Sequence, residues 1–188
     1  LLYKDLVQNM LKTLGAQVKE YKKASILTPV FVICEVIMEL LIPMLMAKII
    51  DDGIGKGNSE VVYKIGIIMA VMAVFSLLFG VLNGKFAAEA SSGMAKNLRK
   101  AMYGNIQKFS FSNLDKYSTA GLVTRMTTDV TNVQNAYQMI LRMCTRAPMM
   151  LIVAVIMSVI TSPKLSVIFI VAIIFLGGLL TIIGLSAH

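Results

Sequence analysis

The chain of 188 residues is poor in the side chains that build catalytic and metal sites. Tryptophan is absent, the single histidine is the last residue, His188, and the two cysteines, Cys34 and Cys144, are far apart. With no C-x-x-C pair and no cluster of cysteine and histidine, neither a zinc site nor a disulfide framework is predicted. Both cysteines lie in or beside apolar runs, where we expect them to be small packing residues.

Nucleotide-binding and hydrolytic motifs are also missing. A phosphate-binding loop needs a glycine, four residues, and then Gly-Lys-Ser or Gly-Lys-Thr. The only Gly-Lys pairs, Gly55-Lys56 and Gly84-Lys85, lack both the upstream glycine and the following hydroxyl. A Ser/His/Asp set would need a histidine within the fold. We therefore expect no catalytic residue, cofactor or metal in this chain.

Charge is scarce, and apolar residues are abundant. Only 15% of residues are charged, 57% are hydrophobic, and the mean hydropathy is +0.77. Soluble domains contain about 45–50% apolar residues. The net charge of +8 would suggest nucleic acid in a soluble protein. Here the charges avoid the apolar runs, so we expect membrane lipid as a partner and no nucleic acid.

The apolar runs predict an all-α membrane protein with four long transmembrane helices. We expect the first span at 26–50, the second helix at 61–109, the third at 120–160 and the fourth at 164–188, with Pro163 at its start. Residues 10–23 alternate apolar residues and lysines at helical spacing and predict an elbow helix in the membrane interface. Residues 1–9 read as an N-terminal extension, with Met10 as a plausible natural start.

The polar segment from Lys85 to Arg146, which we call the polar hairpin, keeps helical periodicity and contains no proline. It is rich in small residues at 87–95, which allow close approach of helices. Within its central break, Ser112 and Asp115 fit a capping box that begins a short helix, and Ser118 or Thr119 can cap the next helix. Apolar stripes on the two arms are formed by Leu98, Met102, Ile106 and Phe109, and by Leu122, Met126, Val130, Val133, Tyr137, Leu141 and Cys144.

The distribution of basic residues predicts the orientation. Residues 1–25 carry five lysines, and the polar hairpin carries nine basic residues against three acidic ones. The loop region 48–64 carries three of each sign. Because basic residues accumulate on the cytoplasmic side, we expect the N-terminus and the polar hairpin in the cytoplasm.

Two carboxylates lie inside the first predicted span. Glu35 and Glu39 are four residues apart and share a helix face, and intramembrane carboxylates usually face the bundle interior or water. They are candidates for lining a cavity that meets cationic or polar substrates, or for a proton site. A structural role is the alternative, with hydrogen bonds to Asn83 or Ser76. We expect Arg142 and Arg146 to extend toward lipid phosphates.

Residues 111–134, FSNLDKYSTAGLVTRMTTDVTNVQ, resemble the first intracellular loop of ABC exporters with the type IV exporter fold. The resemblance extends over about residues 10–188. It departs mildly at Ala120-Gly121 and at Thr128. The matching residues are Asp115, Lys116, Ser118, Thr119, Leu122, Arg125, Thr127, Asp129, Val130, Val133 and Gln134.

The resemblance implies a mechanism and partners. The segment 112–119 would be a coupling helix that docks on a nucleotide-binding domain, and Arg125 and Asp129 would brace the helix that follows. ATP and Mg would be bound by that partner domain, and a second membrane-domain subunit would complete the exporter in the plasma membrane. The docking residues would be Ser112, Asn113, Leu114, Asp115, Lys116, Tyr117, Ser118 and Thr119.

The resemblance covers only part of such a membrane domain, which has six spans. We therefore expect the chain to be a fragment or a split subunit that neither transports nor hydrolyses ATP alone. Two alternatives remain open. One is a complete four-span, proton-coupled multidrug transporter that uses Glu35 or Glu39. The other is a membrane adaptor that does not transport and whose hairpin binds a partner.

Overall fold

The computed structural model describes residues 12–109 and 118–186, and these residues are helical apart from short turns. No strand occurs among them, which confirms the all-α prediction. A π-helical turn, Ile49–Ile54, extends the first helix, and a second, Arg125–Asp129, joins α3 to α4. The helices are α1 (Lys22–Lys48), α2 (Ser59–Ile106), α3 (Thr119–Thr124), α4 (Val130–Thr161) and α5 (Pro163–Ser186).

Three helical stretches are long and apolar enough to cross a membrane: Lys19–Ile54, Ser59–Ile106 and Thr119–Thr161. α5 has 24 residues and begins at Pro163, as predicted, because proline at the first helical position loses no hydrogen bond. Its role as a fourth span stays a prediction.

The length of α2 sets the proportions of the molecule. Its 48 residues span about 72 Å at the rise of an α-helix. The hydrocarbon core of a bilayer is about 30 Å thick, so about half of α2 extends beyond it. The helix begins cleanly, because the Asn58 side chain accepts a hydrogen bond from the backbone N–H of Val61 at 3.3 Å.

A tight connection joins the π-helical turn at Ile49–Ile54 to α2. Gly57 adopts a positive φ of 65°, which glycine accepts without steric cost. Lys56 donates a hydrogen bond to Asp52 at 2.6 Å, and this bond raises the pKa of Lys56. Both side chains are well exposed, so the pair adds little to stability.

The core lies at the boundary between the apolar and polar parts of α2. Ala87, Ala90 and Ala95 are fully buried, and so are Val32 and Val36 of α1. Phe31 stacks on Phe86 with ring centroids 5.5 Å apart, and Phe79 lies 6.2 Å from Phe31 on the other side. The small residues at 87–95 thus bring helices close together, as predicted.

The arms of the polar hairpin pack through their apolar stripes. Val130 is buried, and the other described members of the two stripes are half-buried, except Cys144. Cys144 is an exposed free thiol, so the expectation that it packs inside is wrong for the described residues. Cys34 is a half-buried free thiol.

The predicted elbow at 10–23 is not a single helix over its described residues. Residues 12–16 are helical, a turn follows, and Lys19–Tyr21 forms a 3-10 turn that leads directly into α1. Lys19 has a positive φ of 37°, which breaks the helix. Asn97 of α2 donates a hydrogen bond to the carbonyl of Gln17 at 2.9 Å and anchors the segment. Its place in the membrane interface stays a prediction.

Candidate functional site

Three helices bring four polar side chains together within the apolar part of the molecule. Glu35 and Glu39 share one face of α1 because they are separated by four residues. Asn83 comes from α2 and Arg146 from α4. We call this set the charge cluster.

Arg146 binds both carboxylates. Its Nη1 donates to Oε1 of Glu35 at 2.9 Å, and its Nη2 donates to Oε1 and Oε2 of Glu39 at 2.9 and 2.7 Å. Charge-assisted hydrogen bonds of this length are among the stronger side-chain interactions. The side chain of Glu35 is 13% exposed, whereas those of Glu39 and Arg146 are 36% and 35% exposed. Arg146 therefore ties α4 to α1.

Asn83 ties α2 into the same cluster. Its Nδ2 donates to Oε2 of Glu35 at 3.1 Å, and the residue is 2% exposed. Gly80, one turn earlier, lies beside the carboxylate, and a Cβ there would be in ordinary van der Waals contact with Oε1 of Glu35 at 3.4 Å. The hydrogen bond to Asn83 is the structural role considered for the glutamates, and no bond from Ser76 is recorded among the described residues.

Two open cavities flank the charge cluster. The arginine groove, of about 460 Å³, lies between α1, α2 and α4. The glutamate groove, of about 420 Å³, lies between α1 and α2 and is lined by Glu35, Glu39, Ala73, Ser76, Leu77, Gly80 and Val81. The arginine groove is lined by Val32, Asn83, Asn135, Gln138, Met139, Arg142, Met143 and Arg146. Glu35, Glu39 and Asn83 therefore each line one of two cavities.

The expectation that Arg146 extends toward lipid phosphates is wrong, because its guanidinium turns to the two carboxylates. The sequence held one signal for this pairing. Charges inside a membrane usually pair with one another, and Arg146 lies close to the edge of an apolar run. Sequence spacing alone does not give the register between α1 and α4. Arg142 is exposed, and no hydrogen bond from it is recorded among the described residues.

Sequence analysis did not predict the side-chain contacts that join the two arms of the polar hairpin. Arg99 of α2 donates through Nε to the carbonyl of Met126 at 3.4 Å and through Nη2 to Oγ1 of Thr131 at 3.3 Å. Gln134 of α4 donates to Oγ of Ser92 at 3.2 Å. These contacts lie along antiparallel helices and hold the arms side by side.

Arg125 and Asp129 lie at the ends of the π-helical turn that joins α3 to α4. Both line a cavity of about 300 Å³, together with Leu98, Met102, Val130 and Val133. The cavity faces α2, and their bracing role stays a prediction. π-helical turns are often found at functional positions.

At the tip of the polar hairpin, the described residues resume at Ser118, on the C-terminal side. Ser118 caps α3 by accepting a hydrogen bond from the backbone N–H of Gly121 at 3.1 Å, as predicted, and Thr119 is the first residue of α3. The remaining predicted docking residues, 112–117, lie outside the described residues. Within residues 12–109 and 118–186, no group of three metal-ligating side chains occurs.

Comparison with known proteins gives the family. Residues 25–186 match the ABC transporter transmembrane region. The chain is 36% identical over 147 residues to the uncharacterized ABC transporter ATP-binding protein YfiB of Bacillus subtilis, covering 78% of this chain and 26% of that protein. It is 23% identical over 150 residues to uncharacterized ABC transporter ATP-binding proteins of Mycobacterium tuberculosis and Mycobacterium bovis, covering 80% of this chain and 26% of each.

The chain thus spans about a quarter of the length of the curated relatives it matches. The family match covers α1 to α5, including the charge cluster and the described parts of both hairpin arms. Together with three helices able to cross a membrane, this match makes the chain a multi-pass membrane protein that belongs to the family of ABC transporter transmembrane regions.

Proposed function

We propose that this chain is the membrane-domain part of an ATP-driven ABC exporter and forms part of its translocation path. The observation that carries the proposal is the polar hairpin. α2 extends about 36 Å beyond the hydrocarbon core if half of its 48 residues lie outside. α3 and α4 return beside it, and Arg99 and Gln134 join the arms. Two joined helices transmit displacement better than a flexible loop.

The partner at the tip is a nucleotide-binding domain. Residues 112–119 dock on that domain, and ATP and Mg are bound there and not by this chain. Support comes from the relatives, whose names describe them as ABC transporter ATP-binding proteins and which are about four times as long as the matched segment. A second membrane-domain subunit completes the exporter.

The orientation follows from charge. The N-terminus and the polar hairpin face the cytoplasm, and the turn around Asn58 faces outward across the plasma membrane. Cysteine substitutions Asn58→Cys and Gly104→Cys test this in intact cells. A membrane-impermeant maleimide should label the cysteine at position 58 only. Labelling at position 104 instead would show that the protein has the opposite orientation in the membrane.

Proton coupling through the glutamates is the less favoured function. A carboxylate that carries protons must lose its counter-ion during the cycle. Glu35 and Glu39 both bind Arg146, and Glu35 also accepts from Asn83, so both carboxylates are engaged in contacts between helices. This arrangement supports a role in holding helices together.

The proposed function is tested in the complete transporter by variants that should separate ATP hydrolysis from the movement of the membrane helices. We would replace Cys34 and Cys144 by alanine and place a reporter, Ser76→Cys, in the glutamate groove. ATP should change the rate at which the reporter reacts with a maleimide. Asp115→Ala combined with Tyr117→Ala should abolish that change while ATP hydrolysis continues, and Lys100→Ala, on the exposed side of α2, should not. Retention of the ATP-dependent change in the double variant would exclude the docking role of 112–119.

A further inference from the structure

The π-helical turn Arg125–Asp129 changes the backbone hydrogen bonding in the second arm of the polar hairpin. The backbone N–H of Val130 bonds to the carbonyls of Arg125 and Thr127, whereas an α-helix would pair it with the carbonyl of Met126, four residues back. The Met126 carbonyl accepts from Nε of Arg99 at 3.4 Å. A side chain of the first arm therefore occupies the acceptor that an α-helical form of this turn would use.

Hydroxyl groups on both sides of the turn extend this set of contacts. Arg99 donates through Nη2 to Oγ1 of Thr131 at 3.3 Å, and that hydroxyl donates to the carbonyl of Thr127 at 2.8 Å. Thr127 donates through its own Oγ1 to the carbonyl of Val123 at 2.8 Å. Side-chain bonds to backbone carbonyls offer the chain an alternative to the regular helical ladder. One arginine of α2 and two threonines thus support the π-helical form.

The sequence of the second arm also fits an α-helical form. Four apolar residues are spaced three, four and three positions apart, which is the spacing of one face of an α-helix: Val123, Met126, Val130 and Val133. In the structure the π-helical turn moves Val123 off this face, and the residue is 56% exposed. Its neighbour Leu122 is half-buried. An α-helical turn would bring Val123 onto the face that packs against α2 and move Leu122 to the edge of that face.

The space between the arms gives room for this exchange. The cavity of about 300 Å³ beside the turn is lined by Arg125 and Asp129 on one side and by Leu98 and Met102 of α2 on the other. Conversion of the turn to an α-helix rotates the residues before it by about 100° and shifts them by about 1.5 Å, the geometry of one helical residue. This rotation carries Arg125 away from α2 and brings Val123 toward it. An apolar side chain thereby takes the place of a charged one between the arms.

We propose that the turn Arg125–Asp129 is a two-state joint in which exchange between a π-helical and an α-helical form rotates α3 and the attached residues 112–118. Arg99 holds the π-helical form. The α-helical form is held by the backbone bond from Val130 to Met126 and by packing of Val123 on α2. The joint lets the hairpin tip change direction while α4 stays in place. The proposal rests on the proposed function only for the tip's role as the contact with the ATPase domain.

The test compares two thiol reporters, Val123→Cys and Leu122→Cys, placed singly in the complete transporter with the two native cysteines replaced by alanine. Their rates of reaction with a soluble maleimide are measured without ATP. Arg99→Met removes the bonds that hold the π-helical form, so the rate should fall at 123 and rise at 122. The ratio of the two rates should change about fivefold, the effect of about one hydrogen bond. Lys100→Met, at a neighbouring exposed position, should leave the ratio unchanged.

Deletion of Thr128 provides a locked form of the joint. It removes the extra residue of the turn, so an α-helical turn then leaves Val123 on its present, exposed side. In this background Arg99→Met should no longer change the ratio of the rates. An unchanged ratio in Arg99→Met with Thr128 present, or the same change with Thr128 deleted, would overturn the proposal. A rise of both rates, as expected of an arm that has only loosened, would also overturn it.

Addition of Mg and ATP separates the joint from the proposed coupling. If the ATPase domain turns the tip through the joint, ATP should change the ratio of the two rates in the unmodified turn and not in the Thr128 deletion. A ratio that responds to Arg99→Met but not to ATP would support the joint and count against coupling through residues 112–119. Because the first measurement contains no ATP, failure of the joint and failure of the proposed function give different results.

Discussion

Charged side chains inside an apolar segment are costly unless they are paired, and the charge cluster provides that pairing for three of them. Arg146 serves two carboxylates, and Asn83 supplies one further donor. The cluster carries one excess negative charge when both glutamates are ionised. The hydrogen bonds and ion pairs of the cluster join α1, α2 and α4, and the loss of any one of the four side chains removes at least one of these bonds.

Removing Arg146 should be the most damaging single change in the cluster. Arg146→Met leaves two adjacent carboxylates without a counter-ion. Breaking a buried ion pair costs about 3–5 kcal/mol, and the partial exposure of Arg146 reduces this to about 2 kcal/mol. The melting temperature of the complete transporter in detergent should fall by about 2–3 °C, because the shift per kcal/mol decreases as the protein becomes longer. Arg142→Met, one turn away, is the matched control and should change it by less than about 1 °C. Equal effects of the two variants would contradict the pairing.

Gly93 is a second position at which a single substitution should disturb the packing, because there is no space for a Cβ atom. A Cβ at this position would overlap the ring of Tyr21, so Gly93→Ala forces the N-terminal segment away from α2. Overpacking of this kind costs about 1–3 kcal/mol. Gly104→Ala is the control, because nothing lies within 4 Å of a Cβ there, and alanine in a helix gains about 0.5–1 kcal/mol over glycine. Hydrogen exchange of residues 12–21 should rise in the first variant only. Tyr21→Ala should restore protection in the Gly93→Ala background.

At the scale of elements, sequence patterns predicted the helices well. The second helix was expected at 61–109 and lies at Ser59–Ile106, and the third and fourth begin within a residue of their expected starts. These bounds follow from local chemistry: Asn58 and Ser118 cap helices, and Pro163 begins one.

Local chemistry could not predict the contacts between elements. The partner of Arg146 depends on the register of α4 against α1, and the contacts of Arg99 depend on the register of α2 against the second arm. The break in the predicted elbow arises from a positive φ at Lys19, which a residue pattern favouring a helix does not reveal. The π-helical turn at Arg125–Asp129 likewise interrupts a continuous helical periodicity.

Arg99 should hold the two hairpin arms together. Arg99→Met removes its bonds to the carbonyl of Met126 and to Thr131 but keeps a long apolar side chain. Amide hydrogen exchange across Thr119–Thr131 should become several times faster, because opening of this part loses about 1 kcal/mol of stabilisation. Lys100→Met changes a neighbouring exposed residue and should leave exchange as it was. Unchanged exchange in the Arg99 variant would show that apolar packing alone joins the arms.

At the scale of the whole molecule, the buried core and the exposed apolar surface occupy different places. The core of small residues lies where α2 leaves its apolar run, whereas the apolar spans keep large exposed side chains such as Ile67, Leu77 and Ile174. Such surfaces are expected to face lipid or further helices. The polar hairpin is therefore attached to the membrane part through its best-packed region. This arrangement supports transmission of movement from the hairpin tip to the charge cluster.

The most direct measurement is disulfide or bifunctional maleimide cross-linking in the complete transporter with Cys34 and Cys144 replaced. Asp115→Cys, at the hairpin tip, should cross-link to a cysteine introduced on the surface of the ATPase domain, and the yield should change with ATP. Lys100→Cys, at an exposed position about two-thirds of the way along the polar part of α2, should not cross-link to the same cysteine. Cross-linking from residue 100 but not from residue 115, or from neither, would contradict the account that the hairpin tip is the contact with the ATPase domain.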